Sequence, residues 1–381
     1  MIKNREFRRI YIIQILLAVA DAMGMNFMML YLVTSGFRLE QILLAATLAF
    51  FTPVMFISVM RRARAKVSFL IAFAAKITCY VIALVWLKDS TVYFIYISNA
   101  LVLVFFWIPY NVEFFSYVGE KTRAYMGSLA VAVYPLVGLL IPPAAALIWR
   151  TRGFDYNMIA AISILGAGAA YVLLNKAIRF RVFDYNISAS LGRLKRYRSL
   201  FFLQGFWEAG IFVGIPAFTL LFIKTEVKLG IFLSYLGVLS VLATITLAKL
   251  SDRTSRRTAF LYPTVLLAGC ATLALALARS FPVWIGIAGL VNFSNVMAIP
   301  FLTSVALDAD LTGIDMWAGR ELLLNFGRAA GSAMLLVTYT YFHDYRPGFL
   351  ILGVALLLYA GLIHVKKIYV RARIMPSQPA R

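Results

Sequence analysis

The feature that most limits how this chain can fold is a series of about a dozen apolar runs, each roughly twenty residues long and nearly free of charge. A helix of about 20 residues crosses the ~30 Å hydrocarbon core of a bilayer, and in lipid only helices and closed barrels satisfy every backbone hydrogen bond. Barrel strands of about 10 residues would alternate apolar with polar side chains. These runs are longer and continuous, so the chain reads as an all-α polytopic membrane protein. Spans are expected near residues 9–34, 40–60, 67–87, 91–115, 125–149, 157–178, 199–223, 229–250, 258–278, 281–305, 321–342 and 347–366. About ten residues then remain for each connection, too few for a soluble catalytic domain. Hydrophobic residues make up 62% of the 381 and charged residues 14%, against roughly 45–50% and about 25% in soluble domains. Lipid is the solvent such a composition suits.

The formal charge of +21 could signal nucleic acid, so the positions of the basic residues have to decide. With the N-terminus inside, 27 of the 37 Lys and Arg fall in cytoplasmic segments, 8 fall in outer segments, and only Lys76 and Arg328 lie within spans. That asymmetry follows the positive-inside rule and places both termini in the cytoplasm of a multi-pass cell-membrane protein, with no need for nucleic acid. Attraction to anionic lipid accounts for the rest of the excess. Cys79 and Cys270 sit within apolar spans, which suits packing and not a disulfide or zinc site. His343 and His364 lie at span ends without metal-ligand spacing, and the chain offers no phosphate loop or Ser-His-Asp arrangement. No cofactor is expected. The first run is too long for a signal-peptide core and contains Asp21, so it reads as a retained span.

The longest inner connection, residues 179–198, is RFRVFDYNISASLGRLKRYR and divides residues 1–178 from 199–381. Features recur across it at an offset of about 190. The basic connection Arg61 to Lys66 matches Lys249 to Arg257, and Pro109 matches Pro300. Asp21 and Glu208, 187 apart, are each followed by Ala. These coincidences indicate two related six-helix halves.

After the eighth run the chain reads Ala248-Lys-Leu-Ser-Asp252-Arg253-Thr-Ser-Arg256-Arg257. This resembles the G-x-L-x-D-R-x-G-R-R/K signature of the major facilitator superfamily, with Ala248 and Ser255 in place of its glycines. The first-half copy, Met60-Arg-Arg-Ala-Arg-Ala-Lys66, lacks the acidic residue. The resemblance implies two pseudo-symmetric six-helix bundles that rock about a central site, with the first and fourth helices of each half lining the cavity. It implies further that Asp252, flanked by Arg253, Arg256 and Arg257, gates the inner face by docking near residues 122–126. A carboxylate at a helix N-terminus suits that role. Gly138-Leu-Leu-Ile-Pro142-Pro143 weakly resembles the glycine-proline signature of the superfamily's antiporters.

An ionisable residue at mid-bilayer costs roughly 2.5–3.5 kcal/mol on insertion scales, so those that persist face a bundle interior or cavity. Asp21, with Gln14 seven positions earlier, marks span 1; Glu208, with Gln204 one turn earlier, marks span 7. In span 4, Asn99, Tyr110 and Glu113 share a face at 3.6 residues per turn, as do Asn292 and Asn295 in span 10. Pro109 and Pro300 should kink these two helices. Lys76 is expected to pair with Asp21 or Glu113. Glu321, Asn325 and Arg328 lie along one face of span 11, where an internal ion pair competes with substrate contact. Gly327, Gly331 and Ser332 suit close helix packing.

These residues suggest a monomeric secondary transporter for a small-molecule substrate in the lipid bilayer, not an enzyme. Protons are the expected coupling ion, carried by Glu208 with Asp21 opposite, and cavity acids among aromatics suggest efflux of an amphipathic or cationic compound. A membrane-embedded enzyme acting on lipid-linked substrates could use Asp21, Glu208 and Lys76, but would need larger outer loops or a metal cluster. A non-transporting receptor with the same fold is the third reading.

Overall fold

Each apolar run folds as a helix. A computed structural model describes residues 5–116, 123–175, 182–251, 258–307 and 314–366. Among the described residues, eleven helices are long and apolar enough to cross a membrane. They are span 1 (Arg8–Thr34), span 2 (Leu39–Val59), span 3 (Ala65–Val85), span 4 (Thr91–Phe114), span 5 (Ala132–Arg152), span 6 (Phe154–Leu174), span 7 (Arg198–Thr219), span 8 (Glu226–Leu247), span 10 (Phe281–Thr303), span 11 (Ile314–Phe342) and span 12 (Arg346–Val365). The ninth, span 9, is the shorter apolar helix Phe260–Leu275. Residues 276–278, expected to belong to it, close instead in tight turns, the N–H of each bonding three residues back.

Spans 4 and 10 differ at their prolines, and one boundary moves. Span 4 is interrupted at Phe106, between helices Thr91–Phe105 and Trp107–Ser116. Pro109 has no N–H for the carbonyl four residues earlier, that of Phe105, and its ring crowds that carbonyl. Span 10, by contrast, runs as one helix, Phe281–Leu307, through Pro300. Span 11 begins at Ile314 and not near 321, so Arg320, counted among the connections from the sequence, lies buried within a helix.

Packing repeats with the period of six helices that the sequence suggested. In the first half, spans 1–5, 1–6, 2–4, 3–4, 3–6 and 5–6 are neighbours, and in the second each of these pairs recurs six helices later. Spans 5 and 8 and spans 2 and 11 join the halves, and these two contacts are themselves related by the same exchange. Phe51 meets Phe326 edge-to-face across the second, with centroids 6.5 Å apart.

The span 5–span 8 contact is made by main chain as much as by side chains. Pro143 cannot donate to the carbonyl of Leu139, and the Ser234 hydroxyl donates to that oxygen at 3.0 Å. Small residues allow the approach: a Cβ on Gly237 would sit 2.6 Å from the Leu139 nitrogen, and one on Gly230 3.0 Å from the Pro142 oxygen. Within the second half the same device joins spans 7 and 11. A Cβ on Gly205 would fall on the carbonyl of Leu324, and Cβ atoms on Gly327 and Gly331 would fall on those of Phe202 and Phe206.

A small antiparallel sheet lies outside the bundle, on the face that carries the linker. Strand β1 (Arg62–Arg64), between spans 2 and 3, pairs with β2 (Val182–Asp184) in the linker, with Arg62 opposite Asp184. A short helix, Ile187–Arg193, follows.

Gly205→Ala should lower stability by about 1–3 kcal/mol, because a backbone carbonyl cannot move aside as a side chain would. Gly166→Ala, where a Cβ meets nothing within 4 Å, should be neutral or gain up to ~1 kcal/mol from helix propensity. Thermal unfolding in detergent distinguishes the two.

Candidate functional site

The first helix of each half departs from α geometry beside its acidic residue. Span 1 contains a π turn at Asp21–Met25 and span 7 one at Gly210–Gly214, an offset of 189. The N–H of Asn26 bonds the carbonyl of Asp21 and that of Ile215 the carbonyl of Gly210, each five residues back. Such a turn inserts one residue, rotates the register of the side chains and frees a carbonyl, and π turns concentrate at functional sites. In span 1, Tyr80 of span 3 donates its hydroxyl to the carbonyl of Ala20 at 3.2 Å. The Tyr80 ring fills the space over Gly24, where a Cβ would lie 2.6 Å from the ring.

In the first half Asp21 forms an ion pair with Lys76 of span 3, the partner chosen from the two that the sequence left open. Lys76 also donates to the Asn99 amide oxygen in span 4. The Lys76 side chain is 3% exposed and that of Asp21 23%, so the carboxylate is the accessible end of the pair. Tyr110 donates to the Gln14 amide oxygen at 2.5 Å, joining span 4 to span 1. Gln14 and Asp21 therefore serve different neighbours. The interruption at Phe106 separates Asn99 from Tyr110, and the buried Glu113 lies one turn beyond Tyr110. Phe106, Tyr110 and Phe114 stack in sequence with centroids 5.4 Å apart.

In the second half Glu208 is held by Arg328, which the sequence reading did not pair with it. The Arg328 Nε and Nη2 both donate to Glu208 Oε2, at 2.8 and 2.5 Å. Gln204 donates to the other oxygen, Oε1, at 2.8 Å, and Asn325 accepts from Arg328 Nη1 at 3.1 Å. Glu321 stands 3.8 Å from Arg328 and bonds Arg320 at 2.9 Å. Arg320 lies between the rings of Phe201 and Trp317, 5.8 and 5.6 Å from their centroids. Two carboxylates thus face two guanidinium groups, all buried. A buried charge is tolerable only when paired and hydrogen-bonded.

Each acid is therefore neutralised inside its own half, Asp21 by Lys76 and Glu208 by Arg328. Asn292 acts between helices, donating to the Leu236 carbonyl at 2.9 Å and to Ser240 at 2.7 Å. Asn295 is buried beside it, and its amide oxygen meets no hydrogen-bond partner among the described residues. Asp252, Arg253, Arg256 and Arg257 lie outside the described residues. Sequence reasoning missed Arg320, Tyr80, Gly24 and the π turns. The one signal available was a glycine close after each acid, Gly24 after Asp21 and Gly210 after Glu208.

Two six-helix halves related by exchange, with the first helix of each broken beside an acid, define the class: this chain has the fold of the major facilitator superfamily. A variant of the E. coli fucose:proton symporter FucP superposes with a TM-score of 0.63 at 15% identity, covering 94% of this chain and 98% of that one. FucP in its outward conformation gives 0.68 at 12% identity, over 95% and 99%. The human organic anion transporter MFSD10 gives 0.62 at 15%, over 94% and 99%. No protein-family model and no curated protein sequence matches the chain.

Glu208→Gln should leave two buried guanidinium groups sharing the single carboxylate of Glu321, at a cost of about 3 kcal/mol. Glu208→Gln combined with Arg328→Met should recover most of that loss. A double-mutant cycle of thermal unfolding reads the coupling.

Proposed function

We propose that this chain is a secondary transporter that carries a small solute by alternating access, its halves rocking about the span 2–span 11 and span 5–span 8 contacts, with protons coupled at Asp21. The fold supports transport, and two proteins that share it are a fucose:proton symporter and an organic anion transporter. The observation that carries the coupling is the Asp21–Lys76 pair. Its carboxylate is the more accessible end, 23% exposed against 3% for the lysine. Glu208 is buried and both its oxygens are bonded, by Arg328 and Gln204, so this pair suits a fixed strut between spans 7 and 11 better than a proton carrier. The role expected of Glu208 from sequence accordingly passes to Asp21. A proton arriving on Asp21 removes the counter-charge of Lys76 while Asn99 still holds the amine. Solute binding and proton binding can be linked through that released charge.

The proposed orientation places both termini and the linker in the cytoplasm, on the distribution of 27 inner against 8 outer basic residues. Reporter fusions at the linker should read as cytoplasmic, and labelling of the linker from outside intact cells would overturn this orientation. The proposed working unit is a monomer.

Proteoliposomes loaded with a pH-sensitive dye should acidify or alkalinise when one of a panel of sugars, organic anions or amphipathic cations is added with the purified protein present. Asp21→Asn should abolish that solute-linked proton flux while leaving exchange of the solute across the membrane largely intact. Undiminished proton flux in Asp21→Asn would remove the coupling role. No transported solute from any class would remove the transporter reading.

A further inference from the structure

Two consecutive linker residues are fastened to opposite halves of the protein. On the side of the first half, β2 pairs with β1, and the N–H of Tyr185 donates to the carbonyl of Arg61 at 3.0 Å. On the side of the second half, the N–H of the next residue, Asn186, donates to Asp315 Oδ1 at the start of span 11, at 3.2 Å. Everything after Asn186 continues that second attachment. The Asn186 side chain caps the short helix through the N–H groups of Ser188 and Ala189 at 3.0 and 3.2 Å. Ser190 and Arg193 reach Asp315 at 3.3 and 3.5 Å. The buried Leu194 lies against Gly319, and Lys366, just past span 12, bonds the Arg196 carbonyl at 3.0 Å and Ser199 at 2.6 Å.

A peptide chain cannot stretch: consecutive Cα atoms stand about 3.8 Å apart whatever the conformation. With Tyr185 tied to one half and Asn186 to the other, the linker has no slack between its two anchors. Any separation of the halves at this face by more than a few ångströms must break one of them. The anchors differ greatly in strength. The second is a helix with a buried face, three contacts to one carboxylate and a tie to span 12. The first is a two-stranded ladder of three residue pairs, a form that is marginal in water. The Arg62–Asp184 ion pair reinforcing it, at 2.8 Å, has side chains 79% and 65% exposed and so contributes little.

We propose that the β1–β2 ladder is a clasp that holds the linker face closed and must unpair whenever that face opens. The ladder forms and breaks as the halves rock, while the linker from Asn186 onward travels with the second half. The inference rests on the rocking motion proposed above, and it adds the element that releases and the reason it is obliged to.

The test reads distance and not transport. Spin labels on Ser58→Cys and His364→Cys, both exposed positions at this face on opposite halves, are placed in a Cys79→Ala, Cys270→Ser background in lipid nanodiscs. Pulsed electron resonance then reports the separation of the halves. Arg62→Asp sets two carboxylates against each other across the ladder and should raise the longer-distance population roughly threefold or more. Arg62→Asp with Asp184→Arg should restore the original distribution. Insertion of Gly-Ser-Gly-Ser between Tyr185 and Asn186 alters no contact yet adds up to ~13 Å of reach, and it should raise the same population. The insertion keeps the test decisive if Arg62→Asp fails to fold. An unchanged distribution in the folded insertion variant overturns the clasp. If that protein still moves solute in the flux assay, the clasp has failed and the transporter reading has not.

Discussion

An ionised side chain without a counter-charge cannot remain in hydrocarbon, and most of what is polar in this protein is placed by that requirement. Lys76 and Arg328 are the two bases within the apolar runs, and each meets an acid from the first helix of its own half. The conditions for those meetings are structural. Arg328 reaches Glu208 because spans 7 and 11 approach to main-chain contact, which Gly205, Gly327 and Gly331 permit. Asp21 stands at the start of a π turn, and the Tyr80 hydroxyl takes up the carbonyl of the residue before it. Helix spacing and helix irregularity are both subordinate to charge balance.

The two halves satisfy one rule with different chemistry. The acids sit in similar places, Asp21 at the first residue of its π turn and Glu208 two residues before its own, but the bases come from different helices. Lys76 comes from the third helix of its half, whereas Arg328 comes from the fifth. Lysine presents a compact charge whose proton can be lost when buried, while arginine grips one carboxylate oxygen through two donors and keeps its charge. A pseudo-symmetric scaffold thus carries one pair closed by lysine and one closed by arginine. The second is also the better insulated, with Gln204, Asn325 and Glu321 around it.

The sequence made the helices legible because length and continuity of apolar runs answer directly to bilayer thickness. It made the Asp21–Lys76 pair legible because a mid-span lysine has few partners to choose from. The Glu208–Arg328 pair was not legible, since it depends on which helices are neighbours, and spans 7 and 11 are far apart in the chain. Arg320 was misread for a related reason. A charged residue at the edge of an apolar run looks like a boundary until a partner, here Glu321, and two flanking rings are known to bury it. The linker strands escaped notice because the alternation in Arg62-Ala63-Arg64 spans only three residues, too few to read as a strand; the pairing arises from where the folded bundle sets Arg62–Arg64. Span 4 is interrupted three residues before Pro109, whereas span 10 continues as one helix through Pro300, although both prolines remove the same N–H.

The hydrogen bond from Ser234 to the Leu139 carbonyl has a further implication for how this interface is inherited. Its acceptor belongs to the main chain, so the identity of residue 139 is immaterial to it. The residue that creates the acceptor, Pro143, sits a full turn away and takes no part in the bond. Substituting Pro143 would give that carbonyl a competing donor in its own helix and weaken the contact from a distance. Divergence among homologues could therefore scramble the touching side chains while preserving the joint, and pairwise covariation of those side chains would pass over it.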